Sequence, residues 1–491
     1  MSIKSKFASG TGWMALGATA DYAMQFVVFI VLARFLTIRE LGVVAFALVL
    51  MDIGRIFVNG GRSEIIVQRK DWDGDFSSVC FTRSLISAGV LALILAIPGA
   101  MLMDRYYQQG SGLPTAALSG IFMIEALRSI HAAKLRREFR FKALAGRVMV
   151  GTLVAGILAI ILAISGWGLW AMVVQRLVQQ TLSTVMTMRA AHWMPRFKMH
   201  APGFPEAQPY MRRVTASRAL DVANARAPDF LVGLILGPVA VALFRVGARA
   251  LEVIVRTTVQ PFQDAALSAL SRLEDKEQIG RALARIVSMA SLLMFPILIG
   301  AAVTADDLTI VLFGARYAPS AIIMATLALG ILPSTLMLLA GTAYLAAGHA
   351  EVNLRINIAS VSFLISGVVG GALLGGTYGS AIGVMAAQWL MMPITLYYLR
   401  SELGLSPAAL LGPMAAPLTA ALVMGMGVKL AATQVYGTIG TVPHLIALLI
   451  VGAGIYVAML FLFGRSYLDG LMNEMRVILP AAIGNRLPRF R

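Results

Sequence analysis

Apolar stretches of about 20 residues recur along almost the whole chain, and they constrain its fold more than any other feature. A stretch of this length crosses a bilayer as an α-helix, and the strict apolar–polar alternation that would predict strands is absent. A mean hydropathy of +0.80 over 491 residues agrees, because a soluble core cannot hide so much apolar surface. The sequence therefore predicts an all-α integral membrane protein with about 14 transmembrane helices.

The predicted spans fall into two groups of six and a final pair. They lie near residues 11–36, 41–60, 79–103, 113–131, 143–165, 167–188, 214–236, 239–262, 282–303, 319–347, 354–375, 379–399, 408–428 and 443–464. A basic, proline-containing segment at residues 189–213 separates the two groups, and we expect it to be a loop and a hinge. In the eleventh span, Gly367, Gly371 and Gly375 are spaced for close helix packing.

An internal repeat supports this division of the chain. An ungapped shift of 200 residues places Asp21 on Asp221 and Asp52 on Glu252. Parallel repeats with substrate between them are a recurring transporter architecture. We therefore expect an N-terminal lobe at residues 1–200, a second six-helix lobe at 201–403, and the last two helices with a basic cytoplasmic tail at 404–491.

The distribution of lysine and arginine in the loops predicts the orientation of the chain. With the N-terminus in the cytoplasm, most loop cations fall on the cytoplasmic side. The opposite loops hold only Arg39, Arg105, Arg316 and Lys429. Since cytoplasmic loops are enriched in these residues, both termini are predicted to be cytoplasmic. The same bias explains the formal charge of +17, so we do not expect a nucleic acid partner.

Arginine is the cation that occurs inside the predicted spans, whereas no lysine does. A bare cation in hydrocarbon costs several kcal/mol, so each arginine requires a polar interior with either an anionic ligand or carboxylate partners. The eighth span carries Arg245, Arg249, Glu252 and Arg256 on one helix face. The seventh adds Arg218, Asp221, Arg226 and Asp229, with Asn224 at the margin. The excess of cations predicts an anion-binding cavity wall.

The first lobe carries a sparser set of intramembrane polar residues. Candidate ligand-binding residues are Gln25, Arg55 and Arg83, with Gln175 and Gln179 suited either to sugar hydroxyls or to interhelical hydrogen bonds. Glu125 and Arg128, one helical turn apart, are expected to pair and hold helices together. Buried acids near arginines are candidates for coupling to protons or sodium. These are Asp21, Asp52, Asp221, Asp229 and Glu252.

Motifs of hydrolases, ATPases and metalloproteases are absent from the sequence. The single cysteine, Cys80, excludes an internal disulfide and makes a structural zinc site improbable. We therefore expect no enzyme activity, no metal and no bound cofactor.

Four segments resemble a known family. Residues 31–71 are similar to the opening hairpin of polysaccharide flippases in the multidrug/oligosaccharidyl-lipid/polysaccharide exporter superfamily. Residues 135–145, 166–180 and 269–283 resemble later signatures of its exopolysaccharide and O-antigen branch. One turn departs from the family form, because Ile38 replaces the usual proline before the acidic residue.

The resemblance implies a MATE-like fold in the bacterial inner membrane. It also implies that the cargo is an undecaprenyl-diphosphate-linked oligosaccharide, flipped to the outer leaflet by alternating access, with polysaccharide polymerase or export machinery as further partners. An ion-coupled antiporter for drugs or organic ions is the alternative within the superfamily. A membrane polymerase or ligase acting on the same lipid is disfavoured, because the outward loops are short.

Overall fold

The computed structural model describes residues 3–107, 109–273, 275–435 and 440–463. Over these ranges the secondary structure is helical and contains no strand. Each of the fourteen predicted spans lies on a helical segment, so the predicted all-α fold class is confirmed. The basic tail predicted after residue 464 lies outside the described residues.

The helices follow one another with short connections. They are α1 Ile3–Phe35, α2 Ile38–Asn59, α3 Arg62–Gln68, α4 Gly74–Ile94, α5 Ala100–Leu102, α6 Gly112–Arg137, α7 Phe141–Ile164, α8 Leu169–Ala191, α9 Phe204–Leu236, α10 Pro238–Leu270, α11 Lys276–Val303, α12 Ala305–Phe313, α13 Ser320–Ala346, α14 Ala350–Leu403, α15 Pro407–Val435 and α16 Thr441–Phe463. Two π-helical segments, Leu95–Gly99 and Met103–Tyr107, flank α5.

By length and composition, nine helices in the described part of the chain can cross a membrane, and the protein is accordingly a multi-pass membrane protein. The α9 and α10 helices, which carry several charged residues, are not among these nine. Both are nevertheless 33 residues long, which exceeds the length that a bilayer requires.

Similar turns separate α1 from α2 and α9 from α10. Thr37 caps α2, since its hydroxyl accepts a hydrogen bond from the Glu40 backbone N–H while the Glu40 carboxylate accepts one from the Thr37 N–H. Gly237 supplies the second turn with a φ of 85°, which favours glycine. The 200-residue shift aligns these turns, while the repeat and the two six-helix lobes stay predictions.

The segment at residues 189–213 is a loop only in part. α8 ends at Ala191 and α9 begins at Phe204, so the prediction of a loop through residue 213 was wrong. The reason is that Pro205 lies in the first helical turn, where a missing N–H is tolerated, after Gly203 in a left-handed conformation. The remaining loop lies along α4, because the N–H groups of Arg196 and Lys198 donate hydrogen bonds to hydroxyls of that helix.

Contacts divide the chain into two compact units. The first consists of Met1–Arg245 with Ala372–Thr377, and the second of Val246–Gly371 with Tyr378–Arg491. In the first unit, buried side chains of α1, α2, α6 and α8 form an apolar core that includes Leu32, Met51, Phe122 and Val173. In the second unit, α11 packs against α13 and α15, and α15 packs against α16.

The α14 helix is broken at Gly375 and Gly376, and its two halves form a hairpin. Gly371 approaches Gly379 so closely that a Cβ at Gly371 would lie 2.0 Å from the Gly379 carbonyl oxygen. Gly367 meets Gly383 in the same way. The prediction of close packing is confirmed for Gly367 and Gly371, whereas Gly375 lies at the break.

This packing predicts opposite effects for two neighbouring substitutions. Gly371→Ala should lower the melting temperature of the detergent-purified protein, because the methyl group would collide with the backbone of the other half. Gly370→Ala is the matched control, since a Cβ there meets nothing within 4 Å and alanine is the better helix former. Equal melting temperatures for the two variants would contradict the observed hairpin packing.

Candidate functional site

A continuous chain of salt bridges crosses the first unit from α6 through α2 to α9 and the start of α10. On α6, the Glu125 carboxylate accepts from Arg128 Nη2 at 2.5 Å and from Arg55 Nη2 of α2 at 2.7 Å. Arg55 Nη1 also lies 3.6 Å from Asp52 Oδ1. These contacts confirm the predicted pairing of Glu125 with Arg128.

The chain continues from α2 into α9 and α10. Asp52 Oδ2 accepts from Arg226 Nε at 2.9 Å, and Arg226 Nη1 lies 3.8 Å from Asp229 Oδ2. Asp229 Oδ2 in turn accepts from Arg245 Nη1 at 2.5 Å. We call this set the ion-pair network; its members are Arg128, Glu125, Arg55, Asp52, Arg226, Asp229 and Arg245.

Each carboxylate of the network lies between two arginines. The Asp229 side chain is 6% exposed and that of Glu125 is 13% exposed, so water screens these charges weakly. Removing one partner of a buried pair typically costs about 3–5 kcal/mol, because the other charge stays buried without compensation. The named members comprise four arginines and three acids, so the network carries a net positive charge.

The middle of the network lies on a seam where α2 and α9 pack antiparallel. At one end, a Cβ on Gly42 of α2 would lie 1.8 Å from the carbonyl oxygen of Pro238, the first residue of α10. At the other end, a Cβ on Gly61, just after α2, would lie 2.6 Å from the carbonyl oxygen of Met211 in α9. Between them, the Phe46 and Phe230 rings stack with centroids 6.0 Å apart. We call this contact the α2–α9 seam. Because only glycine allows these approaches, the seam fixes the register of the two helices.

A second polar group connects α1, α7 and α8 within the same unit. The Asp21 carboxylate, 8% exposed, accepts hydrogen bonds from Gln25 Nε2 at 2.8 Å and from the Thr152 hydroxyl. Gln179 Nε2 donates to Thr152 Oγ1 at 2.7 Å, and its Oε1 accepts from Arg176 Nη1 at 3.0 Å. The structure therefore joins Asp21, Gln25 and Gln179, which were separate candidates in the sequence.

The second unit contains the remaining charged residues of α10. Glu252 accepts from Arg249 Nη1 at 2.9 Å, and Arg256 Nη2 lies 3.6 Å from the other carboxylate oxygen. The Arg256 side chain is 39% exposed, whereas that of Arg249 is 11% exposed. Two arginines thus share one acid along this helix face.

Other candidate residues lie outside these groups. The exposed Arg218 is 3.8 Å from both Glu64 and Asp221. Arg83 lies over the Phe204 ring at 4.6 Å and donates to a backbone carbonyl of the loop before α9, so it contacts that loop in this structure. Gln175 and Asn224 are half-buried. Their roles in binding stay predictions.

Two residues of these polar groups were not candidates in the sequence. Thr152 lies between Asp21 and Gln179, but a single threonine in an apolar helix gives no sequence signal. Glu64 on α3 follows the predicted end of the second span, so its approach to Arg218 depends on tertiary structure. The arginine content of the spans could identify the cations but not which acids meet them.

Comparisons with known proteins agree with this architecture. A model of the family described as "Polysaccharide biosynthesis protein" matches residues 31–322, more than half of the chain. The succinoglycan biosynthesis transport protein ExoT of Rhizobium meliloti (strain 1021) is 22% identical over 490 residues, covering 96% of each chain.

Solved structures share the fold at low sequence identity. The lipid II flippase MurJ in an inward closed conformation superposes with a TM-score of 0.76 at 11% identity, covering 93% of this chain and 99% of that one. An inward-facing multidrug resistance MATE transporter gives a TM-score of 0.59 at 14% identity, covering 80% and 94%. The fold is therefore similar to those of MurJ and of MATE transporters, which confirms the predicted MATE-like fold.

The network predicts that two acids of α9 contribute unequally to stability. Asp229→Asn should lower the melting temperature by at least several degrees, because Arg226 and Arg245 would lose a shared counter-charge. Asp221→Asn should change it little, since Asp221 is 57% exposed and its contact with Arg218 is long. Thermal unfolding of both variants in one detergent tests this difference. An equal decrease in melting temperature for the two variants would show that the ion-pair network does not stabilise the protein.

Proposed function

The chain belongs to the polysaccharide biosynthesis protein family, and from this premise we propose that it is a flippase for lipid-linked oligosaccharides. The proposed cargo is an undecaprenyl-diphosphate-linked repeat unit, moved from the cytoplasmic to the outer leaflet of the bacterial inner membrane for surface or exopolysaccharide synthesis. The relative ExoT is named as a transport protein of succinoglycan biosynthesis, and MurJ as a lipid II flippase, which supports this class of cargo.

The excess of membrane-embedded arginine over acid is the observation that carries the proposal. The ion-pair network holds four arginines and three acids, and the α10 face holds two arginines for Glu252. A diphosphate carries about two negative charges and is bound well by planar guanidinium groups. A carrier of organic cations would require the opposite balance, so the flippase is favoured over the drug antiporter.

Within this proposal, the arginines of α9 and α10 have different roles. Arg218, Arg249 and Arg256 are proposed to contact the diphosphate, because Arg249 and Arg256 share the single acid Glu252 and the contacts of Arg218 with Glu64 and Asp221 are long. Arg55, Arg226 and Arg245 belong to the ion-pair network and set the local positive potential. Amides at Gln25, Gln175, Gln179 and Asn224, with Arg83, are proposed to bind the sugars.

Coupling to an ion gradient is proposed for the intramembrane acids. Asp21 is buried and accepts hydrogen bonds from Gln25 and Thr152, and an intramembrane acid of this kind is a candidate for ion coupling. Asp52, Asp229 and Glu252 each contact arginine, and Asp221 lies near Arg218, so protonation of any of them would loosen a salt bridge. Both termini are proposed to be cytoplasmic.

The α2–α9 seam is the proposed outer closure. Alternating access requires the turn after α1 and the turn after α9 to separate when the cargo leaves on the outer side. In the present structure the helices that follow these turns are in contact, because Gly42 of α2 lies against Pro238 at the start of α10. The short outward turns carry no domain that would hinder their separation.

Substitution of Arg249 tests the cargo contact. Arg249→Ala should abolish polysaccharide export and cause lipid-linked repeat units to accumulate on the cytoplasmic face. Arg249→Lys should retain partial activity, since lysine lacks the two-point fork. The double variant Arg249→Ala/Glu252→Gln removes both charges of the pair and so separates folding from function. Arg281→Ala is the control, because Arg281 is exposed and pairs with Glu277 on the same helix.

Full export by both Arg249 variants would exclude Arg249 from the cargo site. Normal export after deletion of the whole gene product, with no accumulation of lipid-linked repeats, would instead refute the flippase proposal.

A reversible crosslink tests the outer closure. In a Cys80→Ser background, Ile38→Cys and Val239→Cys should form a disulfide across the closed turns, stop transport, and restore it on reduction. Each single-cysteine variant, treated with the same oxidant, is the control. A confirmed crosslink with unchanged export would show that the outer closure lies elsewhere.

A further inference from the structure

A cavity of about 380 Å³ lies within the first unit, among α1, α2, α3, α6 and α7. We call it the first-unit cavity; its charged lining residues are Asp21, Glu125, Arg128, Arg136 and Arg147. It lies at the end of the unit where α6 ends and α7 begins. Three guanidinium groups and two carboxylates thus line one cavity.

The two carboxylates are already engaged by other groups. Glu125 Oε2 accepts from Arg55 as well as from Arg128, so its single charge is shared by two cations. Asp21 accepts hydrogen bonds from Gln25 and Thr152. Neither acid forms a salt bridge with Arg147 or Arg136. The positive charge at this cavity is therefore incompletely balanced by the acids that line it.

Arg147 is the most informative residue of the cavity because it is only 8% exposed. Its Nε donates to the Leu144 carbonyl at 3.3 Å and its Nη1 to the Thr187 hydroxyl at 2.5 Å. No described residue forms a salt bridge with Arg147 or accepts a hydrogen bond from its Nη2. Neutral acceptors thus orient a guanidinium group whose charge is buried, and such burial is costly without an anion.

Two further arginines complete the arrangement. Arg136, at the end of α6, is exposed and forms no salt bridge within the described ranges. Arg128 pairs with Glu125 through Nη2, but its buried Nε has no hydrogen-bond acceptor among the described atoms. Donor groups from three positions therefore line the cavity, together with the polar side chains of Asn59, Ser63 and Ser129.

We propose that the first-unit cavity is a binding site for a phosphate-class anion, held by Arg147 and Arg136 with Arg128. Guanidinium groups bind phosphate oxygens through charge-assisted hydrogen bonds, and the cavity volume is in the range of small-ligand sites. The anion is either a free phosphate or pyrophosphate, or the phosphate headgroup of a lipid. This site goes beyond the proposed transport function, since it uses none of the α10 arginines and binding needs no movement of cargo.

Equilibrium binding to the purified full-length protein in a maltoside detergent tests the site. The probes are ³²P-labelled inorganic phosphate and pyrophosphate, with unlabelled farnesyl diphosphate as competitor. Arg147→Gln should lower the affinity for pyrophosphate at least about tenfold, and Arg147→Lys should lower it less. Arg281→Gln, which changes an exposed arginine of α11, should leave binding unchanged.

A second variant keeps the test valid if Arg147→Gln does not fold. Arg136→Gln removes an exposed cation and should weaken binding several-fold without changing the elution profile or melting temperature. Competition identifies the source of the anion. If farnesyl diphosphate displaces the labelled probe at a far lower concentration than unlabelled phosphate does, the natural ligand is a lipid headgroup. If the two compounds displace it equally well, the natural ligand is a free anion. Both results support the site.

The proposal is overturned if neither phosphate nor pyrophosphate binds at up to about 1 mM and farnesyl diphosphate also fails to bind. It is equally overturned if binding occurs with affinities that Arg147→Gln and Arg136→Gln leave unchanged. No step of the binding assay depends on transport. A negative binding result therefore does not contradict the flippase proposal, and a negative export result does not contradict the proposed anion site.

Discussion

The cost of keeping arginine away from water is the constraint on which the rest of this structure depends. Each guanidinium group inside the apolar helices must meet an acid, a backbone carbonyl or a ligand, and the ion-pair network meets this need by sharing every acid between two arginines. Sharing has a mechanical result. Helices α2, α6, α9 and α10 cannot move independently within the first unit without exposing a charge to hydrocarbon.

The same contacts show how stability and conformational change can coexist. At the α2–α9 seam, glycines bring main chains together at both ends, and Asp52 meets Arg226 between them. Main-chain packing gives the seam a defined register. The salt bridge between Asp52 and Arg226 is less permanent, because an anion can take the place of the acid beside the arginine.

Sequence reasoning recovered the helices because apolar runs of bilayer length leave few other folds available. It also recovered contacts one helical turn apart, such as Glu125 with Arg128, since both residues lie on one helix. The pairing of Asp52 with Arg226 could not be predicted, because it depends on how two distant helices pack. The helical start at Phe204 was missed because Pro205 was interpreted as a loop residue, although proline is favoured in a first turn.

The glycine hairpin of α14 has a consequence for how the protein is made. Its halves meet through main-chain atoms at Gly371 and Gly379, so their association requires no side chain from any other helix. In the two-stage view of membrane protein folding, helices insert first and associate afterwards. This pair can therefore associate as soon as its second half has entered the bilayer, before α15 and α16 have entered it.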